Sequence, residues 1–157
     1  MLKKLLTLSV ASAAIVSSGV AWAATATGTL NANATVVSVC NVAGITDINF
    51  GNYDPTSATP ADANGDVSVR CTKNTPYQVY ISAARTMTDG ADTLNFELYN
   101  DAAGGTIWGT TTGDAGNVTN TPASNAPTTH TIFGRVAALQ DVGTGAYAGS
   151  VTVTVEY

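Results

Sequence analysis

Beyond residue 44 the chain alternates apolar and polar residues in short runs. Val67, Val69 and Cys71 alternate with polar neighbours, as do Tyr77, Val79 and Ile81, then Leu94, Phe96 and Leu98. Ile132, Gly134 and Val136 continue the pattern, with Phe133 on the opposite face. A period of two turns one side of each run toward a core and the other toward water, so each run reads as a half-buried strand. No window of a dozen residues holds a helical stripe. Turn chemistry separates the runs at Asp54-Pro55, Asn64-Gly65, Asp89-Gly90 and Gly104-Gly105. Residues 109 to 129, rich in Thr, Gly, Asn and Pro, read as a long loop. Many short strands at this spacing predict an all-β antiparallel sandwich.

The two ends carry the most specific patterns. Tyr147, Gly149, Val151, Val153, Val155 and Tyr157 fall on one face of an expected continuous strand, with Ser150, Thr152, Thr154 and Glu156 opposite. A strongly apolar final strand has an edge that invites pairing. Near the other end, Ala24, Ala26, Gly28, Leu30, Ala32, Ala34 and Val36 share one face, and Thr25, Thr27, Thr29, Asn31, Asn33 and Thr35 the other. The phase flips at Val37 and Val39, which places a bulge or strand boundary near Val36. Periodicity alone leaves two readings of 24–36: an arm that pairs elsewhere, or an ordinary first strand of the same sandwich.

Composition narrows the class. The chain has 157 residues, is 45% hydrophobic and only 11% charged, and carries a net charge of −5. That length holds one domain with an arm. Acidic balance argues against nucleic acid, whose binders need clustered Lys and Arg. One His and two Cys leave little for metal sites or His-based catalysis.

Residues 1–23 read as a signal peptide. Met1-Leu2-Lys3-Lys4 is a basic start, Leu5 to Val16 an apolar core, and Ala21-Trp22-Ala23 a small-residue cleavage site before Ala24. A transmembrane anchor is disfavoured, because a span needs roughly 20 apolar residues and serines interrupt this run. Export favours joining Cys40 and Cys71 as a disulfide. Closing a loop of about 31 residues stabilises a fold by roughly 3–4 kcal/mol in the chain-entropy view. The rival reading, two free catalytic thiols, lacks a Cys-x-x-Cys spacing or a nearby His.

Several segments together resemble a family. Ile48-Asn49-Phe50-Gly51-Asn52-Tyr53-Asp54-Pro55 follows a Cys, and Val67-Ser68-Val69-Arg70-Cys71-Thr72 then leads to Pro76-Tyr77. Leu94 to Asp101 precedes Ile107-Trp108-Gly109, and Ile132-Phe133-Gly134-Arg135 precedes Gly145-Ala146-Tyr147 and the terminal Val151 to Tyr157. In order and spacing these resemble the spore coat protein U-type domain, the pilin family of the archaic chaperone–usher pathway. The resemblance implies an incomplete immunoglobulin-like antiparallel β-sandwich lacking its last strand, completed by donor-strand complementation. It implies a structural subunit of an adhesive pilus serving attachment and biofilm formation, exported through the periplasm to the cell surface. The implied partners are identical subunits in a head-to-tail fibre, a periplasmic chaperone, an outer-membrane usher and a tip adhesin. Residues 24–36 would be the donor strand, with Ala26, Gly28, Leu30, Ala32, Ala34 and Val36 entering the groove, and 37–157 the pilin domain. The accepting and chaperone-pairing strand would be Tyr147 to Tyr157, and Cys40–Cys71 the family disulfide. The donor face departs from the pattern in being mostly Ala and Gly, so Leu30 is the expected main anchor.

Other candidate chemistry is weaker. Asp62-Ala63-Asn64-Gly65-Asp66 begins like a calcium loop, but Val67 and Lys73 stand where Gly and the bidentate Glu are required, which favours a solvated turn. Gly143 to Gly149 has the wrong spacing for a dinucleotide fingerprint and leads into a strand. His130 lacks a nucleophile elbow. Trp108 with Tyr99 offers a sugar platform, against the commoner reading of such aromatics as core. No cofactor is expected, and no enzyme. The alternatives to a pilus subunit are a monomeric secreted carbohydrate-binding β-sandwich, and a spore or cell-coat protein without fibre assembly.

Overall fold

The computed structural model describes residues 23–157, so all but the last residue of the expected leader 1–23 lies outside that range. The chain divides into two compact units, 1–34 and 35–157. In the first, residues 23–34 form neither helix nor strand and are all exposed.

The second unit is all-β, with eight strands in two antiparallel sheets. β1 (Cys40–Thr46), β2 (Ala61–Cys71), β3 (Tyr77–Ile81) and β4 (Thr86–Thr88) are followed by β5 (Thr93–Tyr99), β6 (Val118–Asn120), β7 (Thr128–Val136) and β8 (Val153–Glu156). One sheet has the order β1-β2-β7-β5-β4 and the other β6-β3-β8. The alternation is obeyed where it was expected. Val67, Val69, Cys71, Tyr77, Val79, Ile81, Leu94, Leu98, Ile132 and Val136 are buried. Burial of such β-branched and aromatic side chains between two sheets supplies the main driving force.

Trp108 completes the core. It is fully buried, and its indole N–H donates to the Val79 carbonyl across 3.0 Å. The sugar platform of Trp108 with Tyr99 therefore does not exist. Arg85, between β3 and β4, is also buried; its guanidinium donates to the Trp108 carbonyl at 2.7 Å and pairs with Glu97.

Four local expectations change. Asn64-Gly65 is not a turn but lies inside β2, opposite Phe133 and Ile132 of β7. A Cβ on Gly65 would stand 2.4 Å from the Thr46 carbonyl oxygen, so the glycine serves the passage of the chain leaving β1. Asp62 and Asp66 bind within the same sheet, to Arg135 and Thr131, rather than forming a solvated turn. The expected loop 109–129 contains β6, whose three residues are too few to show a period, and the start of β7. No strand begins near Val36; the bulge lies in β1 between Val42 and Gly44.

The C-terminal run is also not one continuous strand. Ala148 bridges to Thr88 of β4, Thr152 exchanges hydrogen bonds with Ser82, and only Val153–Glu156 forms a ladder, with β3. The chain thus crosses from the edge of one sheet to the edge of the other. Gly149 permits the crossing, since a Cβ there would meet the Thr86 carbonyl oxygen at 2.1 Å.

Candidate strand-accepting groove

Two strand edges from different sheets approach each other without pairing. β1 closes one side of the five-stranded sheet and β8 one side of the three-stranded sheet. They are in contact, yet no ladder joins them. Each presents backbone donors and acceptors that a further strand could satisfy.

The side chains along this seam are incompletely covered. Val42 is 41% and Ile45 56% exposed on β1, while Val151, Val153 and Val155 are only half-buried although they pack against the core. Their cross-strand partners are fully buried: Val67 opposite Ile45, Val79 opposite Val155 and Ile81 opposite Val153. The seam is an apolar trough with a hydrogen-bonding rim on each side.

Both rims are held in place. Cys40 and Cys71 are directly opposite in the β1–β2 ladder, with Cα atoms 4.1 Å apart, and are joined as the disulfide expected from sequence. Just before Cys40, Thr72 donates its N–H to the Val39 carbonyl at 2.8 Å and accepts from the Val39 N–H at 3.1 Å through its hydroxyl. On the other rim, Glu156 of β8 accepts hydrogen bonds from Gln78 and Thr112.

The segments that continue beyond the two rims wall a recess of about 850 Å³. Phe50, which follows β1, packs against Phe96 in a tilted arrangement with ring centroids 5.9 Å apart. Tyr53 locks the corner, its hydroxyl donating to the Ala137 carbonyl at 2.8 Å and accepting from the Gln140 N–H at 2.9 Å. Tyr147 donates to the Gly143 carbonyl at 2.9 Å, and burial beside the Asp89 and Asp92 carboxylates raises its phenol above the ordinary tyrosine value.

The sequence-derived residues are distributed as follows. Tyr147 and Gly149 lie outside the β8 ladder, Val151 precedes it, Val153 and Val155 are within it, and Tyr157 ends the chain 59% exposed. Ala26, Gly28, Leu30, Ala32 and Ala34 belong to the first unit, where Leu30 is 94% exposed; Val36, in the second, is 82% exposed. The second rim, with Val42 and Ile45, was missed by sequence reasoning. Its signal was available: β1 carries apolar residues whose spacing breaks at the bulge, which hides the period. His130, free in principle for catalysis, shares a 2.8 Å hydrogen bond with the Tyr77 hydroxyl and has no Ser or Cys nucleophile as a partner among the described residues. Among the described residues no group of three or more His, Cys, Asp or Glu is placed to hold a metal, and no helix is long and apolar enough to cross a membrane.

Comparison with known proteins agrees with this architecture. A solved structure of the CsuC-CsuE chaperone-tip adhesion subunit pre-assembly complex, from archaic chaperone-usher Csu pili of Acinetobacter baumannii, contains a chain of similar fold. The TM-score is 0.53 at 22% identity, over 78% of this chain and 41% of that one, so this chain spans less than half of its length. Protein U of Myxococcus xanthus is 31% identical over 94% of this chain and 93% of its own. The model of the Spore Coat Protein U domain, a structural rather than catalytic family, matches residues 26–154. With nearly the whole described sandwich inside that match, the chain belongs to the Spore Coat Protein U domain family.

Proposed function

We propose that this protein is a fibre-forming subunit of a chaperone–usher pilus, exported to the cell surface, and that it polymerises by donor-strand exchange. The observation that carries the reading is the unpaired seam between β1 and β8, with Val42 and Ile45 exposed although their partners on β2, Val69 and Val67, are buried. A further strand laid there would pair its backbone with both edges and cover the trough, which is β-augmentation. The chain owns a segment of the right chemistry in residues 24–36, where Leu30 is the large side chain that fills the deepest part of the trough.

During folding a periplasmic chaperone lends the missing strand, and at an outer-membrane usher the arm of the next subunit replaces it. The contact is head-to-tail and does not close, so it generates a filament rather than a ring. Family membership and the likeness to a chain of the Csu assembly support this reading. Attachment and biofilm formation follow as the service of such a fibre.

A thermal melt of the chain without residues 24–36, with and without a peptide of those residues, tests the proposal. Strand exchange predicts an aggregating or low-melting domain that the peptide rescues by mass action, and intact chains that run as ladders on unheated detergent gels. A truncated domain that melts as high as the intact chain and ignores the peptide would overturn it. The second reading, a coat protein without fibres, has the family's description and the Myxococcus relative in its favour. It predicts no ladders.

A further inference from the structure

The outer face of the five-stranded sheet departs from the rule that a solvated face is polar. Tyr99 of β5 lies directly opposite Phe133 of β7, and Phe133 directly opposite Asn64 of β2. On its other side Tyr99 bridges to Ile107, which is 53% exposed. All four alternate with buried neighbours: Leu98, Ile132 and Trp108 belong to the core, and Gly65 is buried beneath the chain leaving β1. Asn64, Phe133, Tyr99 and Ile107 therefore form one row running across the strands, about 14 Å long at 4.7–4.9 Å per strand.

Polar rails flank the row. On one side Arg135 holds both carboxylate oxygens of Asp62, at 2.6 and 2.7 Å. On the other, Asp66 accepts from the Thr131 hydroxyl at 2.8 Å. The guanidinium beside Asp62 holds its carboxyl below the usual range. On the Arg135 side the charges are already matched, and on the other a carboxylate remains as an acceptor, which suits the hydroxyls of a neutral ligand better than an anion.

Two aromatic side chains bring about 150–250 Å² each when fully exposed, and these are half covered. A stable protein partner needs roughly 800 Å² per side. A second copy would also bring a like net charge of −5. A carbohydrate ribbon fits instead: its C–H faces stack on aromatic rings and its hydroxyl edges meet the rails.

We infer that this row is a binding platform for a neutral, β-linked hexopyranose polysaccharide, with Phe133 and Tyr99 stacking on successive rings and Asn64 bonding at the row's end. This goes beyond fibre formation, and it uses a face remote in chemistry from the β1–β8 seam.

Titration of the purified protein with cellohexaose, followed by NMR and calorimetry, tests the inference, with maltohexaose as the helical, α-linked comparison. Saturable binding of cellohexaose is expected, with shifts confined to β2, β5 and β7. Phe133→Thr and Tyr99→Thr keep strand-forming residues and are expected to weaken it about tenfold each. Phe133→Tyr, which keeps the ring, retains binding and covers the case in which a Thr variant fails to fold. No saturable binding by the folded wild type, equal binding by folded Thr variants, or a preference for maltohexaose would overturn the platform. Ladders on unheated gels, scored on the same samples, report polymerisation separately.

Discussion

Asn120 donates to the Tyr77 hydroxyl oxygen at 3.2 Å, and the same hydroxyl is hydrogen-bonded to His130 Nε2, 2.8 Å away. Burial pushes His130 below its ordinary value of 6.5. The folded state therefore binds a proton there less readily than the unfolded state. The stability is fully present above 6.5 and is lost as pH falls through 6.5 toward the lower folded value. Thermal melts should show Tm declining across that window, and His130→Asn should flatten the slope; equal slopes would remove the role. Arg85 makes a second residue-scale case. Its guanidinium meets the Trp108, Leu98 and Ile81 carbonyls as well as Glu97. Arg85→Ala takes the donor from the buried Trp108 carbonyl and the partner from Glu97, and should cost about 2–4 kcal/mol in urea unfolding.

At the scale of elements, the long alternating runs were legible because one buried face imposes a period of two over five or more residues. β2, β3, β5 and β7 were readable in this way. β4 and β6 have three residues each, too few to display a period, and they exist because a neighbouring strand has a free edge. Asn64-Gly65 shows the opposite failure. A dipeptide with strong turn chemistry is overridden by pairing on both sides of β2, and by the need for a small residue where the chain leaves β1. The C-terminal run was legible in composition but not in its change of sheet, which depends on the partner edges of β4 and β3. Of the candidate site, the β8 rim was readable and the β1 rim was not, because the Val42–Gly44 bulge breaks the alternation. The arm belongs to this scale. Leu30→Ala should lower subunit–subunit stability by about 2–5 kcal/mol, read as ladders that dissociate at lower temperature on detergent gels. Ladders as heat-resistant as wild type would exclude Leu30 as the anchor.

For the whole molecule, the disulfide has a mechanical meaning. In a fibre linked through its arms, tension enters each subunit along the backbone at Val37 to Cys40. There the Cys40–Cys71 bond and the Thr72 hydrogen bonds hand it to β2, next to the centre of the five-stranded sheet. When a subunit is pulled open, the loop closed by the two cysteines, with a sequence separation of 31, is held shut by covalent bonds and does not extend. At 3.3–3.6 Å per residue, roughly 100 Å of chain per subunit is withheld from extension. Single-molecule stretching should therefore give a shorter length increment for the oxidised chain than for the reduced one, by about that amount. Equal increments would mean that the force enters elsewhere. Oxidation thereby sets the slack of each link, and a cell moored by such a thread would feel a stiffer tether outside, where thiols are joined, than the same polypeptide could provide in a reducing compartment.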